Sequence, residues 1–332
     1  MTAAPRAPES PAPHGAPLKT TAGGAPTGAP ATPITTRSRQ GKEHGTAKTR
    51  RHGADRGFAS RRADPERVMD MTAEASLDDF FLHLARAPAR CLMLDFDGTL
   101  APFHVDPAQA RPWPGVCDAL DAIQADGGTR LVIVSGRWSR DLLSLLHLAR
   151  APEIWGCHGW ERMRPDGTYR AAPVTPDVLQ RLVEVDEWSG DIETLGGRCE
   201  FKPASVAIHW RGLAPRQVDA IRELVSQRWA APDLNEALAW HDFDGGIELR
   251  VQGRSKADAV EAVLAELAPG AVAAYLGDDA TDEDAFRAIN GRGLSVLVRA
   301  EYRATAAQSW IVPPARLLAF LHRWREASEV KP

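Results

Sequence analysis

Asp95 and Asp97 stand one residue apart at the end of the apolar run Leu92-Met93-Leu94, and Gly98 follows at once. A carboxylate stranded at the end of a buried strand costs free energy unless a cation or donors meet it. Asp278, in a later acidic run after AAYLG, offers a third carboxylate. Such a hard-oxygen cluster suits Mg²⁺, the usual cation for one or two carboxylates plus a phosphate. Gly98 permits a sharp turn that lets backbone N–H groups approach an anion. Ser135-Gly136 adds a hydroxyl at a tight turn, and Lys256, just after Ser255, adds a positive charge at a helix start. Together these residues describe a phosphate held between a metal and donors.

Each feature alone has an ordinary explanation. Asp-x-Asp-Gly-Thr can be a polar loop, and it lacks the alternating oxygen ligands of an EF-hand. Ser-Gly-Arg can be a turn, Lys256 a surface lysine, and Asp278, Asp279, Asp282, Glu283 and Asp284 the acids favoured in a first helical turn. Their joint order, each at a strand end or helix start, is what points to chemistry.

The elements that must position them alternate. RLVIVSGR (130–137), EIWGCHG (153–159), AVAAYLGD (271–278), LSVLV (294–298) and SWIV (309–312) read as short apolar strands. Helical stripes fall between most of them, for example Val260, Val263, Leu264 and Leu267 after a cap at Ser255. An earlier stripe, Leu77, Phe80, Phe81 and Leu84, follows an N-cap at Ser76 with Asp79 three residues on. Near-continuous apolar strands separated by helices predict an α/β fold, a doubly wound, mostly parallel Rossmann-like sheet covered on both faces. The functional crevice of such a sheet lies at the carboxyl ends of its strands, where Asp95, Ser135 and Asp278 all fall.

The pattern changes over 161–251. ASVAIHW half-alternates, and LAWHDF and IELRV are joined by Asp244-Gly245-Gly246, a hairpin signal. Two helical stripes, Val178/Leu182/Val185 and Val218/Ile221/Val225/Trp229, lie among these strands. The expected organisation is a core of 71–160 and 252–332 with an inserted smaller α/β module at 161–251.

Residues 1–70 differ from the rest. They are rich in Ala, Pro, Thr, Gly and Arg, with 12 Lys/Arg against 6 Asp/Glu. They carry too little apolar material to offset ordering entropy, so a disordered basic tail is expected. Met1–Pro17 lacks the apolar region of a signal peptide. Met69 and Met71 raise the alternative of a native start beside the first helix. The net charge of -4 and the absence of any apolar run near 20 residues argue against a nucleic-acid or membrane partner. Cys91, Cys117, Cys157 and Cys199 show no Cys-x-x-Cys pairing, which fits free thiols in a reducing cytoplasm.

DFDGTL (95–100), SGR (135–137), Lys256 and GDDATDEDAF (277–286) resemble the four motifs of the haloacid dehalogenase superfamily of phosphotransferases. More narrowly, GCHGWE (156–161), EFKPASVAIHWR (200–211) and IELR before Lys256 are similar to trehalose-6-phosphate phosphatases, over residues from about 75 to the end. The resemblance implies that Asp95 attacks phosphorus, that Asp97 protonates the leaving oxygen and then activates water, and that Ser135 and Lys256 hold phosphoryl oxygens. It implies Mg²⁺ on Asp95, Asp278 and the backbone carbonyl of Asp97, supported by Asp282. It makes the inserted module a cap in which Glu200, Lys202, Arg211 and Glu248 bind trehalose hydroxyls, with His158 and Arg137 nearby. Trp160, Trp210 and Trp240 either stack on a sugar or, as expected, pack in the interior. The expected activity is Mg²⁺-dependent hydrolysis of trehalose 6-phosphate alongside a separate trehalose-phosphate synthase. The rivals are the same chemistry on sucrose 6-phosphate or mannosyl-3-phosphoglycerate, and a catalytically silent partner of the synthase.

Overall fold

The computed structural model describes residues 77–229, 237–243 and 245–329, all within one compact unit, Arg61–Pro332. The expectations for the tail, for Met69 and Met71, for the cap at Ser76 and for Asp244 lie outside these residues.

The first apolar stripe forms α1 over 77–86, with Phe81 and Leu84 buried. There follow β1 (Arg90–Leu94), α2 (Val116–Ala125), β2 (Thr129–Val134), α3 (Ser139–Leu146), β3 (Glu153–Gly156), β4 (Glu161–Met163) and β5 (Tyr169–Ala171). The chain then builds α4 (Pro176–Glu184), α5 (Ser189–Thr194), β6 (Arg198–Lys202), β7 (Ser205–His209), α6 (Pro215–Arg228), β8 (Leu238–Phe243) and β9 (Gly246–Val251). It closes with α7 (Lys256–Ala265), β10 (Val272–Gly277), α8 (Glu283–Ile289), β11 (Leu294–Val298), β12 (Ser309–Ile311) and α9 (Ala315–Glu329).

One sheet runs β12-β11-β10-β1-β2-β3-β4-β5, parallel from β12 to β3 and antiparallel beyond. Alternation along its strands sorts side chains into two cores. Leu92, Leu94, Leu131, Ile133 and Leu276 pack under α1, α2, α3 and α9, while Cys91, Met93, Val132, Val134 and Tyr275 pack under α7 and α8. Both faces are therefore buried, which is why these strands read as unbroken apolar runs. The order reverses between β1 and β10, so the crevice outside their carboxyl ends is the topological switch point. The fold is the expected α/β, mostly parallel Rossmann-like architecture with an inserted α/β cap.

The cap's sheet is β6-β7-β9-β8, antiparallel throughout. Val206, Ile208, Leu249 and Val251 on one face pack against Val178, Leu182, Ile192, Ile221 and Val225 of α4, α5 and α6. Trp210 is buried in this core, and Trp160 and Trp240 pack against it.

The boundary expected at 160/161 is corrected: β4 and β5 pair onto β3 and extend the main sheet, so the chain leaves that sheet only after Ala171. β4 is Glu161-Arg162-Met163, which carries no apolar strand signal because hydrogen-bonding and ionic partners hold it. Glu161 accepts from the Ser139 N–H at 2.6 Å and the Tyr169 hydroxyl at 2.7 Å. Arg162 donates to Glu153 at 2.8 Å and pairs with Glu266 at 2.7 Å.

Candidate active site

β1 ends at Leu94, so Asp95 leaves the sheet beside β10, its N–H donating to the Leu276 carbonyl at 2.9 Å. β10 ends at Gly277 and presents Asp278 from the neighbouring strand. Gly98 makes their approach possible: it adopts φ +83°, and a Cβ there would sit 2.0 Å from Asp278 Oδ2. α7 opens with a capping box on Ser255 and Asp258, which places Lys256 at its first turn. The buried Lys256 ammonium donates to Asp95 Oδ1 at 2.7 Å and to Asp282 Oδ1 at 2.6 Å.

Asp95, Asp278 and Asp282 bring ligand-capable oxygens within 4.8 Å of one another. Asp282 is the braced member: Oδ1 also accepts the Tyr275 hydroxyl at 2.5 Å, and Oδ2 accepts the Asp278 and Asp279 N–H groups at 3.1 and 3.0 Å. Asp278 Oδ1, by contrast, is buried without a hydrogen-bond partner. Burial and the neighbouring acids outweigh Lys256, pushing the Asp95 carboxyl up to about 7 and that of Asp278 well above the carboxylate range. Burial opposes the charge of Lys256, but Asp282 and Asp95 prevail and raise it. Three buried acids facing one lysine, with an orphaned oxygen among them, fit a hard divalent cation. Asp95, Asp278 and Asp282 could each offer it an oxygen, with Asp282 also fixing the loop beneath.

Asp97 follows a different course. Its two carboxylate oxygens receive Arg137 Nε at 2.6 Å and Nη2 at 2.7 Å, a bidentate clamp completed by Arg137 Nη1 on the Pro107 carbonyl at 2.8 Å. Ser135 directly follows β2 and is buried, its Oγ accepting from the Arg137 N–H at 3.2 Å.

The cap supplies the opposite wall. Period-two alternation puts Glu200 and Lys202 of β6, Ser205, Ala207 and His209 of β7, and Glu248 and Arg250 of β9 on its polar face. Glu248 is buried and accepts from Lys202 at 2.8 Å, Ser205 at 2.7 Å and Arg250 at 2.7 Å, with His158 Nε2 at 3.2 Å. Burial alone would raise its carboxyl, but Lys202 and Arg250 hold it well below the usual range. The same contest draws Glu200 down to about 2, through Lys202 and through His209 at 2.7 Å. His158 is pushed down to about 3 by burial and Arg250, so its imidazole is neutral. Contacts that tie cap to core among the described residues include Lys202 Nζ to the Gly136 carbonyl at 3.0 Å, Glu248 to His158, and the Arg211 guanidinium over the Phe103 ring at 4.9 Å.

Between floor and cap lies an open cleft lined by residues of both. The trehalose-phosphatase family model matches residues 93–310. The chain belongs to the trehalose-phosphatase family. A trehalose-phosphate phosphatase of Mycobacterium ulcerans is 33% identical over 253 residues, covering 71% of this chain and 61% of that protein. The chain thus spans about three fifths of the length of these curated relatives. Among solved structures, the C-terminal domain of a C. albicans trehalose-6-phosphate phosphatase superposes with a TM-score of 0.60 at 19% identity, covering 75% of this chain and 96% of that one. A trehalose-6-phosphate phosphatase related protein gives 0.56 at 22%, over 72% and 96%.

Within this family framework, Asp95, Asp97, Ser135, Arg137, His158, Glu200, Lys202, Arg211, Glu248, Lys256 and Asp278 line one cleft, and Asp282 lies buried beneath it. Trp160, Trp210 and Trp240 are not among the lining residues. His209, Arg250, Phe103 and Phe243 line the cleft without having been singled out. Alternation could have found two of them: the periodicity that turns Glu248 inward does the same for Arg250, and it carries Ser205 to Ala207 to His209. Phe103 sits in the irregular segment after β1, where no periodicity exists to place it.

Proposed function

We propose that the chain is a Mg²⁺-dependent phosphatase that hydrolyses trehalose 6-phosphate to trehalose and phosphate. What supports it most is the juxtaposition of a nucleophile-and-acid pair, Asp95 and Asp97, with a cap face of ordered carboxylates and cations across one cleft. An Asp95 oxygen attacks phosphorus, forming an aspartyl-phosphate as the bond to the sugar oxygen breaks, and that oxygen takes a proton from Asp97. Asp97 then takes a proton from water, whose oxygen attacks the aspartyl-phosphate, releasing phosphate and restoring Asp95. Lys256 and the Ser135 hydroxyl hold phosphoryl oxygens, and Arg137 keeps the Asp97 carboxyl oriented. Asp95, Asp278 and the Asp97 carbonyl would hold Mg²⁺, which would supply positive charge to offset the phosphoryl oxygens. Glu200, Lys202, Arg211 and Glu248, with His158 beside them, present acceptors and donors to a ligand rich in hydroxyls.

The substrate is then a small molecule supplied by a separate trehalose-phosphate synthase. Cytoplasmic residence belongs to the same proposal: the four cysteines are free, and no helix among the described residues is long and apolar enough to cross a membrane. The test is phosphate release with Mg²⁺ from trehalose 6-phosphate, sucrose 6-phosphate, glucose 6-phosphate and mannosyl-3-phosphoglycerate. A marked preference for the first is expected. Preference for another would overturn the substrate, and no release from any would favour a silent partner of the synthase.

A further inference from the structure

The polar face of the cap has one small, uncharged position at its centre. Ala207 pairs in register with Glu200 on one side and Glu248 on the other, so both carboxylates rise from directly opposite it. They do not close over it. Glu248 leans toward the row of Ser205, Lys202 and Arg250, accepting from all three at 2.7 to 2.8 Å. Glu200 leans the other way, toward His209 at 2.7 Å. Ser205 and His209 lie two residues to either side of Ala207 on the same face, spanning about 13 Å of strand. The two carboxylates are thus drawn to opposite sides of Ala207, a buried residue that lines the cleft. His209 is held against Phe243 at 5.3 Å between ring centroids, and Lys202 is anchored on the Gly136 carbonyl, so neither flank collapses inward freely.

We infer that Ala207 is a size gate that selects the leaving group, its missing side chain making room for the sugar ring that does not carry the phosphate. This rests on the proposed phosphatase function and names a further specificity-determining residue for it. A valine at 207 adds two carbons at this position and a leucine three, while Asp95, Asp97, Lys256 and Asp278 belong to other elements. A large leaving group should therefore lose its seat while a small aryl phosphate still reaches the floor.

The experiment compares Ala207→Val and Ala207→Leu with wild type, measuring kcat and KM for trehalose 6-phosphate and for p-nitrophenyl phosphate, with melting temperature as a check on folding. In the leucine variant kcat/KM for trehalose 6-phosphate is expected to fall at least tenfold further than for p-nitrophenyl phosphate, mainly through KM, with valine between. Parallel loss on both substrates, or none on trehalose 6-phosphate, would overturn the gate. If the leucine variant fails to fold, the valine variant is read by the same ratio. Failure of the substrate assignment looks different: wild type itself would release nothing from trehalose 6-phosphate. The ratio is then taken with the largest sugar phosphate that wild type accepts, and parallel loss there overturns the gate on its own. A wild type that accepts only p-nitrophenyl phosphate overturns both.

Discussion

The floor of the cleft and the cap above it solve the burial of acids in opposite ways. On the floor, Asp95 and Asp282 share the single ammonium of Lys256, while Asp278 has Arg299 at 4.0 Å and its Oδ1 has no hydrogen-bond partner. In the cap, Glu248 alone is served by Lys202, Arg250, Ser205 and His158, and Glu200 by His209. The carboxyls of Asp95 and Asp278 are accordingly pushed up, while those of Glu200 and Glu248 are pulled down. A site short of positive charge is built to receive a cation and an anion together, whereas a neutralised, donor-rich surface is built to receive a neutral, hydroxyl-bearing ligand.

The largest effect expected from breaking this contrast is at Asp95. Asp95→Asn should lower phosphate release at least about a hundredfold, because the proposed nucleophile is lost. The same change removes one of the crowded negative charges, so the metal-free variant should melt no lower than wild type. A variant retaining more activity than that in a stopped phosphate assay would contradict the nucleophilic role.

Next comes Lys256, the only side chain that bridges Asp95 and Asp282 among the described residues. Lys256→Met should destabilise the metal-free protein by about 3–5 kcal/mol, since it leaves buried carboxylates without their counter-charge. Urea denaturation in EDTA measures this, and a loss near zero would mean that the floor acids are already neutral.

The pH dependence of stability should carry both halves of the comparison with opposite signs. Asp95 has a folded pKa of about 7 against 3.8 for the free group, so the folded state holds its proton more tightly. Metal-free stability from this group should therefore fall as pH rises from about 4 to about 7, and saturating Mg²⁺ should flatten the fall. Glu200 has a folded pKa of about 2 against 4.5, so its contribution is present above about 4.5 and lost as pH drops toward 2. Melting temperatures across pH 3 to 8 on wild type and Glu200→Gln separate the two: the variant should lose only the acid limb.

The smallest effect is at the cap. Lys202→Ala should raise KM for trehalose 6-phosphate by about tenfold with a lesser change in kcat, as loss of a ligand contact does. A pure loss of kcat would move Lys202 into the chemistry.

The floor was legible in the sequence because Asp95, Ser135 and Asp278 each terminate an apolar run, and a parallel sheet delivers such ends to one crevice. β4 was not legible, since Glu161 is held by the Ser139 N–H and the Tyr169 hydroxyl and Arg162 by carboxylates, instead of by apolar packing. The bidentate grip of Arg137 on Asp97 joins residues 40 apart and leaves no trace in local pattern. The distinction between Asp282, whose oxygens are all engaged, and Asp278, whose Oδ1 is orphaned, also appears only in three dimensions. In the cap, alternation carried enough information to place Glu248, Arg250 and His209 on one face, but not to reveal how the carboxylates diverge over Ala207.

The most direct measurement is calorimetric titration of metal-free protein with Mg²⁺, paired with Asp278→Asn and Glu248→Gln. One binding site is expected in wild type and in Glu248→Gln, with binding lost or weakened at least tenfold in Asp278→Asn. Equal binding in all three, or loss in Glu248→Gln alone, would contradict the division between a cation-seeking floor and a saturated cap.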